Sequence, residues 1–351
     1  MEYVPSQTIV ISHMAALRAI RVARRRYAYL PWRPLDTMEQ QWALSSCVIG
    51  RQLADLDTLC RLGLWNHEDS SYRIDVLSSS KALKRTRPEF RCHIVSTPLP
   101  AGSILEMSPG IYVVAPAVVV AQYAQTHCFP EVLALIQELC GAFSLPEDHR
   151  AGVVWRASPE NESQNYAKAE SALHAKELQR KLKKLSALRG CSRAIPAARC
   201  ALDDARSPGE AIMASLYHAP FARGGFAIKE MILNHQVDFS DDAQKAAGMP
   251  YAICDAYVTA ARATLEYNGS YHEQPGARLH DDKRAAGLEA MGITTIVINR
   301  EQLRRIEALE SIARLLYQRA GMRYRNRTSG YGVKQIELLN GLRTAFGWPA
   351  C

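Results

Sequence analysis

The chain has 351 residues, 48% hydrophobic and 22% charged, with 43 Lys and Arg against 35 Asp and Glu for a formal charge of +8. That composition excludes wholesale disorder and a fibrous repeat, and at ~150 residues per domain the length suggests about two domains, each able to bury its own core. The positive balance favours polyanionic partners without fixing one, and no apolar run reaches the ~18 residues that a membrane-spanning helix needs.

In chain order, Ile9–Ile11 precede Arg18, Arg21, Arg24, Arg25 and Arg26, which reverses the charge order of a secretory signal. The nine cysteines (Cys47, Cys60, Cys92, Cys128, Cys140, Cys191, Cys200, Cys254 and Cys351) are odd in number and contain no C-x-x-C pair, so reduced thiols are expected instead of a zinc ribbon. Together these lead us to expect a cytoplasmic protein with no membrane partner. Residues 12–29 read as an arginine-rich helix with Met14, Leu17 and Ile20 on its apolar face and the arginines on the solvated sides. Pro31 and Pro34 end it, and 39–64 looks helical in two pieces.

From Tyr72 to Val114 the pattern changes to short β-rich runs at 72–77, 90–95, 103–107 and 111–114, broken by Pro98, Pro100, Pro109, Gly102 and Gly110. Helices are expected at 115–123 and 129–143. The expected architecture is therefore mixed α+β, of α/β type: an N-terminal α+β accessory domain over 1–150, a basic helical connector over 151–206, and a further domain over 207–351. In the connector Leu173, Leu178, Leu182 and Leu185 mark a packing side, while Lys176, Arg180, Lys181, Lys183 and Lys184 form either a solvated face or a phosphate-binding one.

The last domain carries the chemistry-bearing residues. Ser207-Pro208-Gly209-Glu210 opens a helix, Tyr251–Val258 is a strand containing Asp255, and 263–267 is a strand containing Glu266. Asp281 and Asp282 open a helix that Gly292 closes, and 293–299 is a β-branched strand. An acid inside an apolar strand costs several kcal/mol, about 2–7 for a polar group, unless it is paired, hydrated or metal-bound, which singles out Asp255 and Glu266. Purely structural readings exist for the others. Ser207 and Glu210 form a capping box, Asn268-Gly269 suits a type I′ turn, and Asp281 suits a helix start with Arg284 pairing nearby.

The stretches SPGE (207–210), CDAYV (254–258), LEYNGSYH (265–272) and DDKRAAGLEAMGI (281–293) resemble the PD-(D/E)xK restriction-endonuclease-like superfamily, in the branch similar to very-short-patch-repair endonucleases. The resemblance covers roughly the last two fifths of the chain. It implies a mixed central sheet flanked by helices and a Mg²⁺-dependent DNA endonuclease. It also implies that Asp255, Glu266 and Glu210 are metal ligands, that Asn268 and His272 complete the catalytic group, and that Arg284 and Asp281 orient a carboxylate or contact nucleic acid. Chemically, paired carboxylates suit a hard cation, and His272 suits proton transfer. Asn268 departs from the pattern, since the superfamily has lysine there and the nearer branch an acid, so a catalytically inactive DNA-binding regulator is the alternative. The stretch at 93–124 is similar to the middle of AbiEi-type antitoxins, which implies an antitoxin-like role with a toxin or other protein partner.

Overall fold

The computed structural model describes residues 8–47, 56–62, 64, 73–79, 89–147, 165–269 and 275–351. The chain divides into two units. The first is built from Met1–Val132, Ser144–His149 and Ala167–Arg199, and the second from Leu133–Phe143, Arg150–Tyr166 and Cys200–Cys351. Both combine helices with a sheet, so the mixed α+β class expected from sequence is the observed one. No helix among the described residues is long and apolar enough to cross a membrane.

In chain order the first unit holds β1 (Ile9–Ile11), α1 (His13–Tyr27), β2 (Arg33–Pro34), α2 (Thr37–Ser46), α3 (Leu56–Arg61) and β3 (Ile74–Ser78). There follow β4 (Phe90–Ile94), β5 (Ile104–Ser108), β6 (Ile111–Val114) and α4 (Pro116–Tyr123). Next comes α5 (Phe129–Cys140), inside which the unit boundary falls, and then α6 (Ala175–Lys184) and α7 (Cys191–Ala198) of the first unit. The six strands lie in the order β2-β5-β6-β1-β3-β4. Strand β1 is fully buried and pairs parallel to β6 and antiparallel to β3, although three residues are too few for a strand period to show in sequence.

Helix α1 differs from its expected solvated character. Arg18, Arg21 and Arg24, spaced three apart, are all buried. Arg24 is fully enclosed because its Nε and Nη2 donate to the Glu170 carbonyl at 3.0 and 2.8 Å, which meets the requirement that an enclosed cation find acceptors. The leucines of the basic segment behave as their spacing predicts: Leu173, Leu178, Leu182 and Leu185 are buried while Lys176, Lys183 and Lys184 are exposed.

The second unit holds the rest of α5, then α8 (Pro208–His218), β7 (Met231–Asp238), α9 (Asp241–Ala247), β8 (Tyr251–Val258), β9 (Ala263–Asn268), α10 (Pro275–Ala290), β10 (Thr294–Asn299), α11 (Ile306–Arg319) and α12 (Tyr331–Ala345). Its sheet runs β10-β9-β8-β7, with β8 antiparallel to both β7 and β9 and β10 parallel to β9. A parallel neighbour needs a crossover, and α10 supplies it. The type I′ turn read at Asn268-Gly269 is not formed, because Asn268 is itself a strand residue paired with Asn299 and lacks the positive φ that such a turn needs. Helix α10 begins at Pro275, so Asp281 lies within the helix and not at its start. Val237, Phe239, Ala243, Ala247, Ala252, Cys254, Leu288 and Ile293 form a common core. Gly287 makes that packing close, because a Cβ there would lie 2.3 Å from the Phe239 ring.

Candidate active site

Three acids reach one region from three elements. Glu210 comes from the first turn of α8, Asp255 from the middle of β8 and Glu266 from β9. The register explains the nearness of the last two. Ala256 pairs with Leu265 across the antiparallel ladder, so Asp255 and Glu266 occupy the next step of the same two strands. Asp255 Oδ2 accepts from the Tyr267 backbone N–H at 2.8 Å, which ties the Asp255 side chain to β9.

Glu210 is both cap and site residue. Ser207 caps α8 by accepting from the Glu210 N–H at 3.2 Å, and the Ser207 hydroxyl donates to Glu210 Oε1 at 3.0 Å. Oε2 accepts from the Arg206 N–H at 2.9 Å and from Asn234 Nδ2 at 3.0 Å. Asn234 is a contributor that sequence reasoning missed. It stands on β7 between the residues paired with Cys254 and Ala256, hence beside Asp255, and adopts a left-handed backbone (φ 48°) that asparagine tolerates better than most residues. An asparagine in a half-buried strand gives no pattern from which this could be read.

The electrostatics link the acids. Burial pushes the Glu210 carboxyl upward, and the negative charge of Asp255 adds to the effect, against the Arg206, Asn234 and Ser207 donors. Glu266 is pushed up to about 7, first by burial and then by Asp255, with the Arg284 guanidinium opposing. The adjacent Cys254 thiol rises to about 12 through burial and the proximity of Glu266. Asp255 is thus the acid whose charge raises both others. Glu266 is buried, at 5% exposure. Its Oε2 is bound by Arg284 Nη1 at 3.1 Å, and its Oε1 is enclosed without a well-formed hydrogen bond. Arg284 Nη1 also donates to the Ile253 carbonyl at 3.1 Å, so α10 is fastened to the same strands.

Of the residues expected from sequence, Glu210, Asp255, Glu266 and Arg284 come together. Asn268 lies exposed at the end of β9, opposite Asn299 of β10, two residues beyond the buried Glu266. His272 and the Asp281 side chain lie outside the described residues. Among the described residues no three His, Cys, Asp or Glu side chains are arranged to hold a metal. Mg²⁺ does not require three: it is held by one or two carboxylates, with waters and substrate phosphates completing its shell. The hard oxygen donors of Asp255 and Glu266 fit such an ion, with the enclosed Glu266 Oε1 lacking a well-formed hydrogen bond. Glu210 fits less directly because protein donors already engage both its oxygens.

Comparison of the chain with protein-family models, with curated proteins and with solved structures finds no match.

A second group of residues was missed for a different reason. From Ser311 to Ile336 the chain contains no Asp or Glu, yet carries Arg314, Arg319, Arg323, Arg325, Arg327 and Lys334. An acid-free basic stretch is a signal that a charge scan extended past Arg300 would have found.

Proposed function

We propose that the second unit is a divalent-metal-dependent DNA endonuclease of the kind that its resemblance to very-short-patch-repair endonucleases implies. The observation that carries this reading is the placement of Glu210 and Glu266 beside Asp255 from three elements of one sheet-and-helix unit, where burial and the Asp255 charge raise both carboxyls. Two buried carboxyls pushed upward by a third acid beside them have little structural benefit by themselves, and a cation relieves the repulsion. Mg²⁺ when bound supplies polarisation of the scissile phosphate and a water of lowered pKa. Asp255 and Glu266 would hold it. Glu210 fixes the start of α8 and, through Asn234, the strand beside Asp255. Arg284 keeps Glu266 in place and is a cation at the site that could meet a phosphate oxygen. DNA as substrate agrees with the cytoplasmic, bacterial-type setting expected from the sequence.

Incubation of the protein with supercoiled plasmid and Mg²⁺ or Mn²⁺ tests this. Nicking or linearisation is expected from the wild type and should fall at least 100-fold in Asp255→Asn, a loss on the scale of removing one charge-stabilising group. No cutting by either protein, or equal cutting by both, would overturn it.

A second reading, a nuclease-like scaffold that binds DNA without cutting it, is favoured by two observations. Arg284 already occupies one oxygen of Glu266, and Asn268 carries no charge and stays at the exposed strand end. Salt-dependent DNA binding that persists in EDTA, together with intact plasmid in the assay above, would select it.

A further inference from the structure

Between α11 and α12 the segment Met322–Thr328 runs without helix, strand, turn or bend, and its exposure alternates. Arg323, Arg325 and Arg327 are exposed, whereas Tyr324, Asn326 and Thr328 are half-buried. That alternation is the signature of extended backbone, in which alternate side chains share a side and sit ~6.6 Å apart.

The inward residues hold the segment still. The Tyr324 ring lies edge-on to Phe221 and Tyr317, with centroids 5.5 and 5.4 Å away, and the Arg314 guanidinium covers it at 4.5 Å. Its hydroxyl is 3.4 Å from that of Tyr331, which in turn donates to the Gly225 carbonyl at 2.9 Å. Asn326 Oδ1 accepts from the Thr328 N–H at 2.8 Å. An extended loop fixed by an aromatic cluster loses less entropy on binding than a free one.

Among the described residues the outward side chains have no acid to answer them. No carboxylate among the described residues pairs with Arg323, Arg325 or Arg327. Other arginines of the protein do pair: Arg33 with Glu39 and Glu106, Arg284 with Glu266, and Arg314 with Glu310. A regular row of three uncompensated guanidiniums on a fixed extended segment matches a repeating anion, and the guanidinium fork suits phosphate oxygens.

We propose that Met322–Thr328 is a phosphate-binding strip that grips one strand of DNA through Arg323, Arg325 and Arg327. The choice of DNA rests on the proposed function above, whereas the anion-binding geometry does not.

The test is fluorescence anisotropy of a labelled DNA duplex titrated with the full chain in EDTA, where no cleavage occurs, at several salt concentrations. Arg323→Gln/Arg325→Gln/Arg327→Gln is compared with wild type and with Arg91→Gln/Lys229→Gln/Lys245→Gln, which removes the same charge from scattered exposed positions. Three lost phosphate contacts should reduce the slope of log K against log salt by about 2.7, at ~0.9 per phosphate, while the scattered variant keeps the wild-type slope. Circular dichroism confirms that both variants fold. An unchanged slope in the strip variant, or an equal fall in the scattered one, would overturn the strip. An effect seen with an RNA duplex and not with DNA would overturn DNA as its occupant. Loss of the slope effect with plasmid cutting intact removes the strip alone, and the reverse removes the nuclease reading alone.

Discussion

Replacing Glu266 by glutamine tests the electrostatics of the candidate site directly. The Glu266 carboxyl is displaced from 4.5 to about 7 by burial and by Asp255. At 1.36 kcal/mol per pKa unit, ionising it in the folded protein therefore costs about 3 kcal/mol more than in the unfolded chain. The sign follows from linkage. Below pH 4.5 both states are protonated and the residue contributes nothing. Between 4.5 and 7 the unfolded chain ionises first, so stability falls as pH rises, and above 7 the full penalty is present. Glutamine keeps the shape and can still accept from Arg284, but carries no charge. Urea unfolding followed by circular dichroism in EDTA should find Glu266→Gln more stable than wild type by about 3 kcal/mol at pH 8.5, with the difference vanishing near pH 4. Mg²⁺ should narrow the gap at pH 8.5, because an ion held by the wild-type carboxylates stabilises only the protein that binds it. A variant equal to or weaker than wild type at pH 8.5, or a difference constant across pH, would refute the reasoning.

Two further outcomes probe the surrounding structure. Gly209→Ala would place a Cβ 2.0 Å from Tyr267 Cε1 and 2.5 Å from two other ring carbons, so despite alanine's better helix propensity it should cost about 1–3 kcal/mol in a thermal melt; stabilisation instead would show that the start of α8 does not press on β9. In the first unit, His13 stacks on His93 at 3.7 Å with Ser12 Oγ 2.9 Å from its Nδ1, and burial followed by the nearby His93 lowers it to about 4. Its neutral form is the folded form, so wild-type stability should be lost as pH falls from 6.5 towards 4, and His13→Gln should show a shallower loss over that window by urea midpoint; parallel curves would contradict this.

The legible parts of the sequence were those where one period or one cap dominates. The β8 strand agrees with its alternation over Tyr251–Val258, and Ser207-Pro208-Gly209-Glu210 caps α8 as read. What failed was local chemistry overridden by topology. Asn268-Gly269 has the composition of a type I′ turn, but the ladder to β10 keeps Asn268 as a paired strand residue without a positive φ. Asp281-Asp282 has the composition of a helix start, but Pro275 begins the helix two turns earlier. Asp255 and Glu266 were found because each interrupts an apolar strand, whereas Glu210, which also reads as part of a cap, entered through the resemblance carried by SPGE. Asn234 was not, because its part depends on a left-handed backbone that composition does not announce. The buried arginines of α1 were misjudged because the acceptor that satisfies Arg24, a backbone carbonyl at residue 170, lies far away in sequence.

The placement of the unit boundary inside α5 bears on how the protein can be dissected. The second half of that helix belongs to the unit that carries Asp255 and Glu266, and its Gln137 donates to Ser215 of α8 at 3.1 Å in a fully buried setting. An expression fragment cut near residue 200 would therefore begin without one of its own interior helices, leaving the inner side of α8 bare and prone to aggregate. Activity assays on such a truncated piece would report on a damaged protein. Supplying residues 133–143 in the same polypeptide is a minimum for studying the second unit in isolation.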